Sequence, residues 1–337
     1  MRYAVALLLL PGTAGAAAAD EPVPWPDTLR RGANLTVHIT EKDLVHYVRD
    51  WQANSCRFLI NDLLPPTPPH RVSEEKKKQV FDTLDLCLKH GLFTVFSPSA
   101  SFDNNDRFFS NPEYRKAYVE FWEETARRYR DAGPIAWDLM NEPHDRLARA
   151  EWNGFARELT AAIRRIDPKH TLVVEPPEWG WAGGFQYLEP TGDPNTVYSF
   201  HFYGPMDFTH QRNNGHMKAT EEQWKQRVYP GSTMQGEVWD RARLRKEIEK
   251  ATAFRDKHGV RIWCGEFGVA RWARGAVPYM ADWIELCEAE KIGWCYYSYR
   301  EWAPMDLEMD PAVRGGKTER TETDFVRLFK KYFARKN

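Results

Sequence analysis

Two glutamates of this 337-residue chain stand where apolar, β-forming runs end: Glu142 follows IAWDLMN (135–141), and Glu266 lies in RIWCGEFGV (261–269). Paired carboxyl groups are the reactive groups of glycoside hydrolysis. In the retaining form of that reaction one carboxylate attacks the anomeric carbon, while the other, kept protonated, donates to the leaving oxygen and later activates water. A charged carboxylate also raises the pKa of its neighbour through like-charge repulsion, which suits the two groups to different roles.

The elements that would position these glutamates alternate along the chain. Runs of β-forming residues, separated by segments of helical period, are found at 32–38, 56–61, 92–98, 135–143, 171–177, 196–205, 261–269 and 294–302. This alternation predicts a parallel sheet with crossover helices. Eight such units predict an α/β fold, a single-domain (β/α)8 or TIM barrel, in which active sites lie at the C-terminal ends of the strands. Glu142 and Glu266 would then converge across the mouth of the barrel.

The crossover segments differ in how clearly they predict helices. Helical patterns cover 73–91, 111–131, 241–259, 277–293 and 323–337, whereas the fifth crossover, around 180–190, is the least helical. The longest insertion, 206–240, follows the sixth strand and contains Trp224 and Trp239. Because loops of this length are usually functional or disordered, and this one carries two tryptophans, we expect it to cover the substrate.

The composition excludes several classes of protein. A chain with 42% hydrophobic and 14% aromatic residues can bury a large core, so disorder is excluded. Lys and Arg total 47 against 48 Asp and Glu, without a basic block, which argues against nucleic acid as a partner. No stretch beyond the N-terminus has the length and apolar character of a membrane span. We therefore expect no membrane partner and a protein that acts as a monomer.

The first 19 residues have the pattern of a secretory signal peptide. Arg2 precedes an apolar run, 4–10, which a Pro-Gly pair separates from a stretch of small residues ending at Ala19. This order matches a signal peptide with cleavage after Ala19. The mature domain would then span 20–337 and be secreted or periplasmic.

The cysteines do not form a recognisable disulfide or zinc pattern. Their number is odd and their spacing is wide, at Cys56, Cys87, Cys264, Cys287 and Cys295. Most are expected to be small core residues. If any two pair, Cys264 and Cys295 are the candidates, since they fall on neighbouring predicted strands.

Four motifs, in order and at strand ends, resemble glycoside hydrolase family 5, the cellulase-type members of a clan of retaining TIM-barrel glycosidases. They are Asn-Glu-Pro (141–143), HFYGP (201–205), CGEFG (264–268) and the aromatic eighth strand WCYYSYREW (294–302). The resemblance covers nearly all of the mature chain. It implies a hydrolase that cleaves O-glycosidic bonds of a β-linked glycan or glycoside through a covalent glycosyl-enzyme. It also implies a carbohydrate as the partner, and neither cofactor nor metal.

The resemblance assigns roles to individual residues. Glu142 corresponds to the acid/base and Glu266 to the nucleophile, while Asn141 would hydrogen-bond the 2-hydroxyl of the sugar. Arg57 matches an arginine that orients the nucleophile and would hold it ionised. The other interpretation of Arg57 is a plain salt bridge in the barrel wall.

Strands six and eight supply the remaining expected substrate contacts. His201 and Tyr203 are two residues apart on one strand and so share a face. The resemblance places His201 near the acid/base or the substrate and the Tyr203 hydroxyl against Glu266. On the eighth strand, Tyr297 and Trp302 are the expected aromatic platforms, although Trp294, Tyr296 and Tyr299 could be wall or core residues.

Two positions depart from the family pattern. The third strand, FTVFSPSAS (93–101), offers only Ser97 or Ser99 where many members carry a histidine, and Tyr297 stands where a tryptophan is usual. These departures suggest a substrate outside the best-known cellulase group.

Other residues leave alternatives open. Glu175, at the end of the fifth strand, could be a partner of the catalytic groups or a turn residue before two prolines. His210 and His216 could bind metal but, without an obvious third ligand, are more typical of solvated loops. The sequon at Asn34 lies within the first strand and is expected to be unmodified. Rival functions are a sugar-binding barrel without turnover and a metal-dependent TIM-barrel hydrolase.

Overall fold

The computed structural model describes residues 25–212, 219–314 and 318–335, and it forms a closed barrel of eight parallel strands. The barrel strands, first to eighth, are Arg31–Leu35, Ser55–Ile60, Phe93–Pro98, Ile135–Asp138, Thr171–Val174, Thr196–Phe202, Arg261–Phe267 and Trp294–Tyr296. The first strand pairs with the eighth, with Gly32 opposite Cys295, and this pairing closes the barrel. The predicted (β/α)8 fold is therefore confirmed. The predicted signal peptide, 1–19, lies outside the described residues.

Most barrel strands end earlier than the sequence predicts. The fourth strand ends at Asp138 rather than at residue 143, and the eighth at Tyr296 rather than at 302. Beyond these points the chain leaves the ladder and turns, with positive φ angles at Glu142 (49°) and Arg300 (58°). Apolar β-forming residues continue past the ladder because the turning segments are themselves buried.

Helices surround the barrel. The α-helices are Glu41–Arg49, Glu74–Lys89, Asn105–Phe109, Pro112–Tyr129, Asp145–Arg164, Met206–Thr209, Glu221–Gln226, Arg241–His258, Ala276–Ala289 and Asp324–Phe333. Their ends follow local chemistry: Ser73 caps one N-terminus, Asn111 precedes a helix that starts with proline, and Gly259 ends another in the left-handed conformation. The fifth crossover contains a 3₁₀ helix, Ala182–Tyr187, rather than an α-helix, as its sequence indicated.

Apolar side chains fill the N-terminal end of the barrel interior. This inner cluster contains Trp25, Phe93, Val95, Ala136, Val173, Val197, Trp263 and Cys295. A larger cluster packs the outer wall against the helices. The packed side chains of the inner cluster close the N-terminal end of the barrel, so the space that polar groups can line is at the C-terminal end.

The five cysteines are buried and free. The suggested pairing of Cys264 with Cys295 is therefore not formed. Cys295 lies in the inner cluster whereas Cys264 lies in the outer one, so the two thiols occupy opposite faces of the barrel wall. The other expectation, that most cysteines are core residues, is confirmed.

The insertion after the sixth strand holds two short helices and a small hairpin, Thr233–Met234 with Glu237–Val238. Of its described residues, Met206 and His210 line the cleft, whereas Trp224 and Trp239 do not. Trp239 is instead buried against Gly204, and Trp224 stacks with Arg212. His216 lies outside the described residues. In the part of the chain that the structure describes, no helix is both long and apolar enough to cross a membrane.

Candidate active site

A cleft of about 650 Å³ opens at the C-terminal ends of the barrel strands. It is lined by Leu59, Asn61, Phe102, Asn141, Glu142, Trp179, Trp181, Tyr203, Met206, His210, Glu266, Tyr297 and Trp302. Both predicted glutamates thus reach the same cleft from opposite sides of the barrel.

Glu142 is held by its backbone and by one histidine. Its φ angle of +49° turns the chain out of the fourth strand, and its N–H donates to Glu175 Oε2 at 2.8 Å. The side chain is 12% exposed, and Oε1 lies 2.8 Å from His201 Nδ1. Burial raises the pKa of Glu142 to about 7, and the charge of Glu266 acts in the same direction. A carboxyl with this pKa carries a proton at mildly acidic pH.

Glu266 has charged and neutral donors on both oxygens. Arg57 Nη1 donates to Oε1 at 2.5 Å, and the Tyr203 hydroxyl donates to Oε2 at 2.7 Å. Gly265 precedes it because a Cβ at that position would lie 2.5 Å from Ser199 Oγ. The two donors fix the orientation of the carboxyl group at the edge of the cleft.

The two carboxyl groups are close neighbours. One oxygen of Glu142, one ring nitrogen of His201 and one oxygen of Glu266 all lie within 4.8 Å of one another. Such a trio could in principle hold a metal ion, but its atoms already make hydrogen bonds or ion pairs to Arg57, Tyr203 and each other. The arrangement needs no ion to satisfy its charges.

Arg57 is fully buried beneath the cleft and organises its floor. It pairs with three carboxyl groups, Asp138, Glu175 and Glu266, at 3.0, 2.6 and 2.5 Å. Burial alone would lower the pKa of Arg57, but these carboxylates raise it above its ordinary value. The guanidinium also donates to Asn141 Oδ1 at 2.8 Å, so it links the nucleophile candidate to a residue that lines the cleft.

The sequence match decides the family: the model of cellulase, glycosyl hydrolase family 5, matches residues 18–301. The chain belongs to glycosyl hydrolase family 5. It is therefore a glycosidase, as the motifs predicted.

Relatives of known name share this family. Cellodextrinase A of Ruminococcus flavefaciens is 30% identical over 241 residues, which cover 68% of this chain and 69% of the relative. Endoglucanase C of Acetivibrio thermocellus is 28% identical over 254 residues, which cover 67% and 72%. Among solved structures, endoglucanase Cel5A of Thermotoga maritima superimposes with a TM-score of 0.72 at 21% identity, covering 89% of this chain and 96% of that one. At that identity the structural match supports the fold alone.

Ser97 and Ser99 stand at the end of the third strand, where many family 5 members carry a histidine, and Ser97 is buried and does not line the cleft. Its hydroxyl accepts from Arg57 Nη2 at 2.6 Å and donates to Asp138 Oδ2 at 2.8 Å. Ser99 is buried without a hydrogen-bond partner for its hydroxyl among the described residues. The departure therefore places a hydroxyl in the floor network of this family 5 chain.

Tyr297 and Trp302 both line one wall of the cleft. Their ring centroids are 6.2 Å apart, and His210 lies 5.9 Å from Trp302. Trp294, Tyr296 and Tyr299 are instead buried in the core. Burial lowers the pKa of His210 to about 4, so this imidazole is neutral and can hydrogen-bond a sugar hydroxyl.

The opposite wall contains residues that the sequence did not reveal. Trp179 is 40% exposed and stacks on His144 with ring centroids 3.5 Å apart, and Phe102 meets it edge to face. The backbone N–H of Trp179 donates to the carbonyl oxygen of Pro143, the residue that follows Glu142. The sequence feature that could have predicted this residue is the position of Trp179 in PPEWGW (176–181), just after the fifth strand.

The remaining open interpretations are resolved by contacts. Glu175 is a buried partner of Arg57 rather than a turn residue. Asn34 is fully buried and donates to the carbonyls of Gly265 and Tyr296, so its side chain is inaccessible to glycosylation.

Proposed function

We propose that this family 5 glycosidase hydrolyses a β-linked glycan with retention of configuration, and that short β-glucans are the first substrates to test. The relatives named cellodextrinase and endoglucanase support the substrate class. The single observation that supports the mechanism is the pair of strand-end carboxyls, whose nearest oxygens lie within 4.8 Å. Retaining enzymes hold their two carboxyls about 5 Å apart, whereas inverting enzymes leave room for a water.

In this mechanism Glu266 attacks the anomeric carbon as Glu142 gives its proton to the leaving oxygen. Attack consumes the negative charge of Glu266, so its repulsion no longer raises the pKa of Glu142. Glu142 then removes a proton from water, and the resulting nucleophile releases the sugar from Glu266. In the first step Glu266 is charged and Glu142 is protonated. In the second step Glu142 is charged and Glu266 is esterified to the sugar.

Neighbouring side chains assist in defined ways. Arg57 and Tyr203 each donate a hydrogen bond to Glu266 and so hold its carboxylate in place for attack. The Asn141 amide nitrogen donates to Asn61 Oδ1 at 3.3 Å, and its second N–H is the donor assigned to the 2-hydroxyl of the sugar. Tyr297 and Trp302 serve as platforms on one side of the reacting bond, and Trp179, beside Glu142, serves on the leaving-group side.

The predicted export of the protein belongs to this proposal. The signal peptide, 1–19, would direct the enzyme to the periplasm or the medium, where a monomeric hydrolase meets polysaccharide. Expression in a bacterial host, followed by N-terminal sequencing of the exported protein, should give a start at Asp20. Retention of the full-length chain in the cytoplasm would contradict it.

The test of function is hydrolysis of defined glycans, followed by proton NMR at early times. We expect release of the β-anomer first from a β-linked substrate, unchanged activity in a chelator, and none in Glu266→Gln. A panel of β-glucan, cellodextrins, mannan, xyloglucan and aryl glycosides identifies the sugar. First appearance of the α-anomer would contradict retention, loss of activity in chelator would indicate a metal hydrolase, and binding without products would indicate a sugar-binding protein.

A further inference from the structure

Glu175 contacts three groups of the active site from below the cleft. It is fully buried at the end of the fifth strand, and Arg57 Nη2 donates to its Oε1 at 2.6 Å. The backbone N–H of Glu142 donates to its Oε2 at 2.8 Å. His201 Nε2 lies 3.2 Å from Oε1, which is an ion-pair distance without the angle of a hydrogen bond. Glu175 itself does not line the cleft, so any effect on the reaction passes through these three neighbours.

Asp138 is a second buried carboxyl that the mechanism does not use. Its Oδ2 accepts from Arg57 Nε and from the Ser97 hydroxyl, at 3.1 and 2.8 Å. Its Oδ1 is buried without a hydrogen-bond partner among the described residues, and Arg57 Nη2 contacts both Asp138 Oδ2 and Glu175 Oε1, so the two carboxyl groups are neighbours. Two adjacent buried carboxylates repel each other, which favours a proton on one of them. Burial and the charge of Glu175 raise the pKa of Asp138 well above its ordinary range, so Asp138 is the protonated member of the pair.

Glu175 is the ionised member of this pair. Burial would raise the pKa of Glu175, but the charges of His201 and Arg57 lower it to about 2. Burial would likewise lower the pKa of His201, but Glu175 and Glu266 raise it well above its ordinary value. The buried cluster then contains two cations, Arg57 and His201, and two carboxylates, Glu175 and Glu266. Asp138 and Glu142 are neutral. Because the charges cancel, the cluster avoids the cost of an uncompensated buried charge.

The backbone is fitted closely to the pair of Glu175 and His201. Gly180 has a φ angle of +67°, and a Cβ there would lie 2.8 Å from Glu175 Oε2 and 3.1 Å from the His201 ring. The Gly180 carbonyl accepts from the His201 N–H at 2.8 Å. A side chain at this position would displace the carboxylate or the imidazole, so the local structure holds them together.

We propose that Glu175, with the Asp138 proton, is a positioning residue that keeps His201 as an imidazolium, so that a cation donates to the acid/base Glu142. The inference rests on the proposed role of Glu142. The imidazolium stabilises the Glu142 carboxylate that forms when the proton passes to the leaving oxygen. Without the charge of Glu175, His201 becomes a neutral imidazole. Its Nδ1 then no longer brings a positive charge to Glu142, and the Glu142 carboxylate is less stabilised.

The sign of the expected change follows from the groups that face Glu142. These are His201, Glu266 and Glu175, with the Tyr203 and Tyr297 hydroxyls nearby. A neutral His201 removes a cation 2.8 Å from the Glu142 carboxyl, which favours the protonated acid. Removal of the Glu175 charge acts in the opposite direction, but that carboxylate contacts only the Glu142 backbone. The first effect dominates because it is the direct contact.

The test is the pH dependence of kcat/KM in Glu175→Gln, combined with ¹⁵N NMR of the histidine rings. We expect the basic limb to move up by roughly half to one pH unit, and His201 to lose one ring proton at a pH where the wild type keeps both. The His201 signals are assigned by their absence from His201→Gln. A basic limb that stays or moves down, or a His201 that keeps both ring protons, would overturn the proposal.

A matched control removes a carboxylate from another buried histidine. Asp167 pairs with His170 at 2.7 Å, both buried, ahead of the fifth strand and away from the cleft. Asp167→Asn should destabilise the fold without moving either limb. If the wild type hydrolyses no glycan the proposed function fails, yet the NMR comparison still reports on His201.

Asp138→Asn tests the assignment of the proton. The variant replaces a neutral acid by a neutral amide of the same shape, so both limbs should keep their wild-type positions. If Asp138 were ionised, its replacement would remove a negative charge from the buried cluster beside Arg57 and Glu175, and a limb of the profile would move. That movement would overturn the assignment.

Discussion

At the scale of single residues, environment rather than residue type separates the roles of the carboxyl groups. Glu142 is largely buried, and burial raises the pKa of its carboxyl to about 7, although the His201 ring beside it acts in the opposite direction. Glu266 receives hydrogen bonds from Arg57 and Tyr203 on its two oxygens. Two glutamates in such different surroundings are suited to the separate roles of acid and nucleophile.

The first prediction concerns the basic limb of the pH profile. The pKa of Glu142 is raised to about 7, and the acid must be protonated to act. On the basic limb, kcat/KM measured from pH 4 to 9 should therefore be highest below pH 7, where Glu142 is protonated. It should fall as the pH rises above 7. Glu142→Gln, which cannot titrate, should lose the limb along with most activity on substrates with poor leaving groups. Constant kcat/KM up to pH 9 would contradict the assignment.

The second prediction concerns the hydroxyl of Tyr203, which donates to Glu266 at 2.7 Å. Tyr203→Phe should lower kcat/KM roughly 10- to 100-fold, since a hydrogen bond to a charged group is worth about 1.5–3 kcal/mol. Tyr279→Phe is the matched control: its buried hydroxyl donates to the Gly204 carbonyl, and its loss should leave kcat/KM close to the wild-type value.

At the scale of elements, the eight strands and the two glutamates were predictable because parallel strands have a strong local pattern and end at one rim of the barrel. The contacts of Glu175 were not, since they depend on distances between the second, fourth, fifth and sixth strands that no local pattern encodes. Trp179 was missed for another reason. It lies in a left-handed turn, Glu178 to Gly180, whose geometry is set by packing on His144.

The third prediction tests Trp179 as a platform on the leaving-group side. Trp179→Ala should raise KM roughly tenfold for substrates long enough to reach it, because burying about 50 Å² of apolar surface is worth about 1.3 kcal/mol. Short aryl glycosides should be hardly affected. Tyr187→Ala serves as control, since Tyr187 is 37% exposed and stacks under Arg149 but does not line the cleft. Equal KM changes in both variants would exclude a platform at Trp179.

At the scale of the whole molecule, the last helix secures the seam where the first and eighth strands close the barrel. Phe329 is fully buried there against Trp51, Phe267, Trp294, Tyr296 and Phe333. The amphipathic pattern of 323–337 predicted a helix, but all of the aromatic partners of Phe329 other than Phe333 come from distant parts of the chain.

The fourth prediction follows from this packing. Phe329→Ala should reduce the free energy of unfolding by about 3–5 kcal/mol through the lost contacts and the cavity left behind. Arg327→Ala, an exposed position on the same helix, should cost less than about 0.5 kcal/mol. Urea unfolding followed by tryptophan fluorescence measures both. A small loss at Phe329 would show that the seam is held by other contacts.

The most direct test of the central claim, that Glu142 is the acid/base and Glu266 the nucleophile, is azide rescue of the two alanine variants on an aryl β-glycoside with a good leaving group. Glu142→Ala should still form the glycosyl-enzyme, and azide entering where the base was should release the β-glycosyl azide with retained configuration. Glu266→Ala has no nucleophile, so azide should attack directly and give the inverted α-glycosyl azide. If the two variants gave the opposite products, the roles of Glu142 and Glu266 would be exchanged.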